Sequence, residues 1–151
     1  MYCNSCTLME DVAMNNFIGF SFVNSSFSIM NNSLAANCHI GISLTQGSSY
    51  CKLTNNVIIA NEYGICIYDS CSSNLIYLNH FANNTEYNGY DNGSLNNWDN
   101  GIHGNFWDDY NGVGNYSIAG IAGSVDNHPY VYGAVLPITS TTTSTINTDE
   151  S

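Results

Sequence analysis

The chain has 151 residues, room for one domain, and a single basic side chain, Lys52, against twelve acidic ones, for a formal net charge of −11. Such a surface repels nucleic acid, acidic polysaccharide and anionic lipid, and no apolar stretch approaches membrane-spanning length. Divalent cations, neutral glycans or a basic protein suit it better as partners.

From the N-terminus, Met1-Tyr2-Cys3-Asn4 lacks the basic and apolar regions of a signal peptide. Internal periodicity then takes over. Leu8, Ile29, Leu53 and Ile76 each stand three residues ahead of Asp11, Asn32, Asn56 and Asn79. Five residues further on come Asn16, Asn37, Asn61 and Asn84, with Ala13, Leu34, Ile58 and Phe81 between the two sets. Gly19-Phe20-Ser21-Phe22, Gly41-Ile42-Ser43-Leu44 and Gly64-Ile65-Cys66-Ile67 follow, each closed by a pair of serines, with a period of 21 to 24 residues.

Each unit reads as three short strands separated by Asn, Gly and Ser turns, without the 3.6-residue pattern of a helical repeat. The expected fold is all-β: a right-handed parallel β-helix of about four coils over residues 1–91. Strands stacked about 4.8 Å apart put Phe20/Ile42/Ile65 and Phe22/Leu44/Ile67 in interior columns. A carboxamide both donates and accepts, so Asn32, Asn56 and Asn79, and Asn16, Asn37, Asn61 and Asn84, are expected to bond up their columns. Asp11 accepts only, so it is expected to take a bond from Asn32 and pass none on.

Counted within coils, Cys3 shares a column with Cys71 and Cys6 with Cys51, too many coils apart to be bridged. Cys38 and Cys66 fall elsewhere. Column pairing therefore predicts no disulfide, except that a distorted turn would permit Cys3–Cys6. Cys3, Cys6 and Met9 are the local candidates for a copper or zinc site, since thiolate and thioether suit Cu(I). His39, His80, His103 and His128 show no ligand spacing.

After Phe81 the repeat gives way to an aromatic region, residues 92–136, expected to cap the open end of the helix. Asn97-Trp98-Asp99 and Gly104-Asn105-Phe106-Trp107-Asp108-Asp109-Tyr110, behind Asn-rich coils, resemble the NosD-type right-handed β-helix family. Ala122-Gly123-Ser124-Val125-Asp126-Asn127-His128-Pro129 resembles that family's closing segment. The resemblance implies the β-helix fold and an extracytoplasmic setting, often in large surface proteins. The family takes its name from a periplasmic copper-binding accessory protein. Members commonly carry an Asp/Gly-rich stretch after the tryptophan motif that suggests a calcium loop. Here Asn111-Gly112-Val113-Gly114-Asn115-Tyr116 stands instead, so Asp108 and Asp109 are expected to be hydrogen-bonded cap residues. Residues 137–151 read as a Ser/Thr-rich linker or stalk.

Three functions follow. The first is a non-catalytic extracellular or periplasmic module, a spacer or a binder of neutral glycan, with Trp98, Trp107 and Tyr110 as the ring faces. The second is a carbohydrate-active enzyme. Lyase chemistry lacks its basic residues, whereas a glycosidase needs two carboxylates, and Glu62 with Glu86, or Asp69 with Asp91, are the candidate pairs. The third is copper delivery. An uncapped N-terminal face predicts further β-helix coils of a longer protein, or end-to-end self-association.

Overall fold

The computed structural model describes residues 3–131. Its strands are short and almost all parallel. The first sheet stacks β1 (Thr7–Met9), β4 (Ile29–Asn31), β7 (Lys52–Thr54) and β10 (Leu75–Tyr77). The second stacks β2 (Val12–Met14), β5 (Leu34–Ala36), β8 (Val57–Ile59), β11 (His80–Ala82) and β13 (Phe106–Trp107). The third stacks β3 (Ile18–Val23), β6 (Ile40–Thr45), β9 (Tyr63–Ile67) and β12 (Tyr87–Asp91). A small antiparallel pair, β14 (Tyr116–Ser117) and β15 (Val125–Asp126), lies in the closing region. This is a parallel β-helix of about four coils, all-β as the repeat requires.

The register corrects the sequence reading in the first two sheets. Leu8 stacks on Met30, Leu53 and Ile76, and Ala13 on Ala35, Ile58, Phe81 and Trp107. Ile29 and Leu34 sit one residue off, on the outer side. The third sheet keeps the expected columns, Phe20/Ile42/Ile65 and Phe22/Leu44/Ile67.

The slip carries into the turns. Asn32 and Asn37 are not column residues. Both have positive φ, 52° and 53°, the left-handed turn conformation that Asn tolerates, and Asn37 is exposed. Ser33 and Cys38 hold the column positions instead: Ser33 N donates to Asn56 Oδ1 and Cys38 N to Asn61 Oδ1. Asp11 takes no bond from Asn32; its own N–H donates to Ser33 Oγ.

From the third coil onward carboxamides do bond between coils. Asn56 Nδ2 donates to Asn79 Oδ1, and Asn79 Nδ2 to Asn105 Oδ1, both at 3.0 Å. Parallel chains run Asn74 to Asn96 and Asn61 to Asn84 to Asn88. In these chains the bonds between coils run one way, from the coil nearer the N-terminus to the next; outside them, Asn55 Nδ2 donates back to Asn31 Oδ1. A chain of donors needs an acceptor that does not donate, and each ends on a carboxylate. Asn105 donates to Asp126, Asn96 to Asp91, and Asn88 to Asp108 and Asp109. Asn16, at the open end, only reaches back to Met14 O.

The core is a stack of aliphatic side chains, Met30, Ile42, Leu44, Leu53, Ile58, Ile65, Ile67 and Ile76, with Phe22 and Phe81. Trp107 lies flat on Phe81 at 4.3 Å between ring centroids, and Tyr116 lies flat on Trp107 at 4.2 Å. Trp98 closes the rest of the end. A Cβ on Gly89 would stand 3.0 Å from its ring, so glycine ends the Phe20/Ile42/Ile65 column where the indole comes down. The stacking continues past residue 91, through Asn97 beside Leu75, β13 beside β11, Ala119 beside Tyr90 and Tyr130 beside Phe106. The Ser/Thr-rich segment lies outside the described residues.

Candidate functional site

The expected ring platforms lie inside. Trp98 and Trp107 are fully buried, and their Nε1 hydrogens go to Asp91 Oδ2 at 3.1 Å and Asp126 Oδ2 at 2.9 Å. Neither offers a face to a sugar. Tyr110 is half-buried against the core, its hydroxyl donating to Gly114 O. Asp108 and Asp109 are hydrogen-bonded cap residues. Asp108 accepts from Asn83 N and Asn88 Nδ2, and Asp109 from Asn88 Nδ2 and the Tyr116 hydroxyl.

Of the two candidate carboxylate pairs, one separates and one stacks. Asp91 does not face Asp69. It stacks on Ile67, is 1% exposed, and accepts from Gly93 N, Asn96 Nδ2, Trp98 Nε1 and Ser124 Oγ. Asp69 stands exposed in the turn two residues beyond Ile67. The sequence reading missed this because a turn and a strand end look alike when the register is counted by spacing alone. Glu62 and Glu86 do stack on consecutive coils, Glu86 N donating to Glu62 O, and both are exposed. Glu62 Oε2 is held 2.7 Å from His39 Nδ1.

A groove of about 420 Å³ on the third sheet is lined by His39, Ile40, Tyr63, Cys66, Tyr68, Tyr87 and Tyr90; Glu62 adjoins it through His39, and Glu86 adjoins Tyr87 in the chain. Sheet register puts Ile40, Tyr63 and Tyr87 in one column and Cys66 beside Tyr90 in another. The rings are not coplanar. His39 meets Tyr63 edge-on at 83°, Tyr63 and Tyr87 are tilted by 42°, and Tyr87 and Tyr90 by 32°, with centroids 5.6, 6.1 and 5.6 Å apart. Desolvation, then the charges of Glu62 and Glu86, push the Tyr63 hydroxyl up from its ordinary value. Burial pushes the Cys66 thiol up to about 12, so it is a neutral wall rather than a nucleophile. The sequence reading singled out none of these tyrosines. The signal was present: Tyr63 and Tyr87 hold the same place before the third-strand core positions Ile65 and Gly89.

The candidate copper ligands do not fit a metal. Cys3 and Cys6 are joined in a disulfide, with Cα atoms 5.9 Å apart, so the turn permits the one bridge that column counting left open. Their sulfurs are no longer thiolates, and Met9 is left as an exposed thioether. Cys38, Cys51, Cys66 and Cys71 are free and buried, and Cys51 Sγ donates to backbone carbonyls as the neighbouring serines do. Among the described residues no group of three or more His, Cys, Asp or Glu side chains converges on a point.

Among the described residues, no helix is long and apolar enough to cross a membrane. No curated protein and no solved structure matches the chain. One family description does, "Periplasmic copper-binding protein (NosD)", over residues 1–112. That match takes in every coil and the tryptophan motifs, and the parallel β-helix agrees with it: the chain belongs to the NosD family.

Proposed function

We propose that the chain is a non-catalytic β-helix module of an extracytoplasmic protein, a rigid spacer whose open N-terminal face takes further β-helix coils. The contrast between its two ends carries this reading. At the C-terminal end every sheet is continued by a bridge or strand, and the carboxamide chains stop on Asp91, Asp108, Asp109 and Asp126. At the N-terminal end β1, β2 and β3 are edge strands with no outer neighbour among the described residues. In the column of Asp11, Ser33, Asn56 and Asn79, each backbone N–H donates to the side chain of the next coil. The exposed Asp11 carboxylate is therefore suited to accept from an amide on a preceding coil. Two copies meeting face to face would bring together two molecules of charge −11 each, which favours a coil over a symmetric dimer.

The carboxylates also favour a non-catalytic role. Asp91 is fully engaged in structural hydrogen bonds, and Glu62 is held by His39. Neutral-glycan binding, if it belongs to this module, falls to exposed tyrosines rather than to Trp98 and Trp107.

The test is a chain with a duplicate of residues 24–46 placed ahead of residue 3. The expected result is a monomer with a higher urea midpoint and a steeper transition, because more surface is buried cooperatively. An unchanged slope with a lower midpoint would remove the stacking proposal. A glycan-hydrolysis screen on the chain itself is expected to show no turnover. Turnover that disappears in Glu62→Gln or Glu86→Gln would make the module an enzyme.

A further inference from the structure

The tyrosine groove on the third sheet is shaped for something more particular than a spacer needs. We propose that it is a binding site for a small soluble organic cation, a quaternary or fully alkylated ammonium group of the choline type. Three observations support this. Four tyrosines, Tyr63, Tyr68, Tyr87 and Tyr90, line it together with His39, and Tyr68 and Tyr87 are 40% and 44% exposed, so ring surface is open to a ligand. His39 and Tyr63, Tyr63 and Tyr87, and Tyr87 and Tyr90 are inclined at 83°, 42° and 32°, so the groove is not the flat platform on which a pyranose stacks. A cation within about 6 Å of several ring centroids is attracted by each ring's negative face.

Charge completes the case. Glu62 and Glu86 lie close enough to act on Tyr63; no lysine or arginine lines the groove, and the one imidazole that does, His39, is paired with Glu62, which leaves Glu86 without a basic partner at the groove. The single lysine, Lys52, lies on the first sheet, where its Nζ already sits 5.1 Å from the centroid of Tyr77. A neutral sugar can use the two carboxylates only as hydrogen-bond acceptors, whereas an alkylated ammonium gains from their charge as well as from the rings. A phosphate-bearing headgroup meets the same carboxylates as repulsion, so choline is favoured over phosphocholine.

Calorimetric titration of the full chain tests this with four probes: choline chloride, phosphocholine, the neutral isostere 3,3-dimethylbutan-1-ol, and cellotetraose. The expected result is saturable choline binding, with the isostere weaker by about tenfold or more. Tyr87→Leu and Tyr68→Leu are expected to weaken choline by about tenfold each while leaving the urea midpoint in place, since both side chains are partly exposed. Tyr87→Phe keeps the ring face and is expected to retain binding. Glu86→Gln is expected to weaken choline and leave the isostere unchanged. Equal binding of choline and the isostere, binding of cellotetraose without choline, or no saturation by choline up to about 50 mM would each overturn the proposal.

Discussion

Asn79 shows what one carboxamide does between two coils. Its Oδ1 accepts from Asn56 N and Asn56 Nδ2, and its Nδ2 donates to Asn105 Oδ1 and Leu53 O, all without contact with water. Asn79→Ala strands the two Asn56 donors, and each buried unsatisfied group costs about 1–3 kcal/mol. We expect a loss of roughly 3 kcal/mol or more, read as a fall in the urea midpoint. Asn32→Gly is the control. At φ 52° the residue serves only to turn the chain, and glycine turns it as easily, so stability should stay within about 0.5 kcal/mol. A large loss at Asn32 and a small one at Asn79 would restore the register that the sequence spacing predicts. The sequence reading put Asn32 in the column because Asn31-Asn32-Ser33 offers three polar neighbours, and only the fold decides which of them points inward.

Two carboxylates respond to pH in opposite senses. Burial tends to raise Asp99, but hydrogen bonds from Asn127 N and Nδ2, Gly101 N and His128 outweigh it and hold the group below its ordinary 3.8. Its contribution is therefore present above pH 3.8 and lost as pH falls through the lower folded value. Asp99→Asn should remove that part of the acid limb, measured as urea midpoints between neutral and acid pH. Asp126 is raised by burial, against hydrogen bonds from Trp107, Asn105 and His128. Its stabilising share is full below the ordinary value and declines as pH rises through the folded one. A wild-type advantage over Asp126→Asn that grew with rising pH would contradict this assignment.

At the scale of the element, the first three coils are held at a spacing that leaves no room for a side chain near the start of the third strand, at Gly19, Gly41 and Gly64. A Cβ on Gly41 would stand 2.7 Å from Gly64 O and 2.9 Å from Asn61 Nδ2, both fixed by the next coil. Gly41→Ala should cost roughly 1–3 kcal/mol through overpacking, measured by urea unfolding. Loss of no more than a few tenths would mean that coils two and three sit further apart than the structure places them. The third sheet was legible in the sequence for the same reason. Its strands are five or six residues long, and glycine followed by alternating apolar residues fixes which face is inside. The first two sheets are built from three-residue strands with one inward side chain each, such as Met30 in β4. A single residue cannot show a period of two, so Ile29, which is 39% exposed, passed for the core position.

For the whole molecule, the aromatic cap was legible as a kind of element but not as an arrangement. Tryptophans behind the last coil announced a lid; that each indole N–H would be tied to a carboxylate at the end of a carboxamide chain required Asp91 and Asp126 to come from distant parts of the chain. Of the tyrosine groove, only the shared place of Tyr63 and Tyr87 in the repeat was legible, since Tyr63, Tyr68, Tyr87 and Tyr90 meet only when consecutive coils are stacked. The copper candidates Cys3, Cys6 and Met9, chosen for their thiolate and thioether chemistry, are not presented as a ligand set, because Cys3 and Cys6 are joined in a disulfide. Titration of Cu(I) into the oxidised chain is accordingly expected to show no stoichiometric binding tighter than about micromolar; tighter binding would require a donor set that the described residues do not assemble.

Nuclear Overhauser contacts from the side-chain amides of a uniformly labelled sample test the stacking most directly. The account predicts contacts from Asn79 Nδ2 hydrogens to Asn56 and Asn105, and from Asn105 to the indole hydrogen of Trp107, with none linking Asn32 to Asn56. Contacts that join Asn32 to Asn56, or that leave Asn79 without a neighbour from another coil, would contradict it.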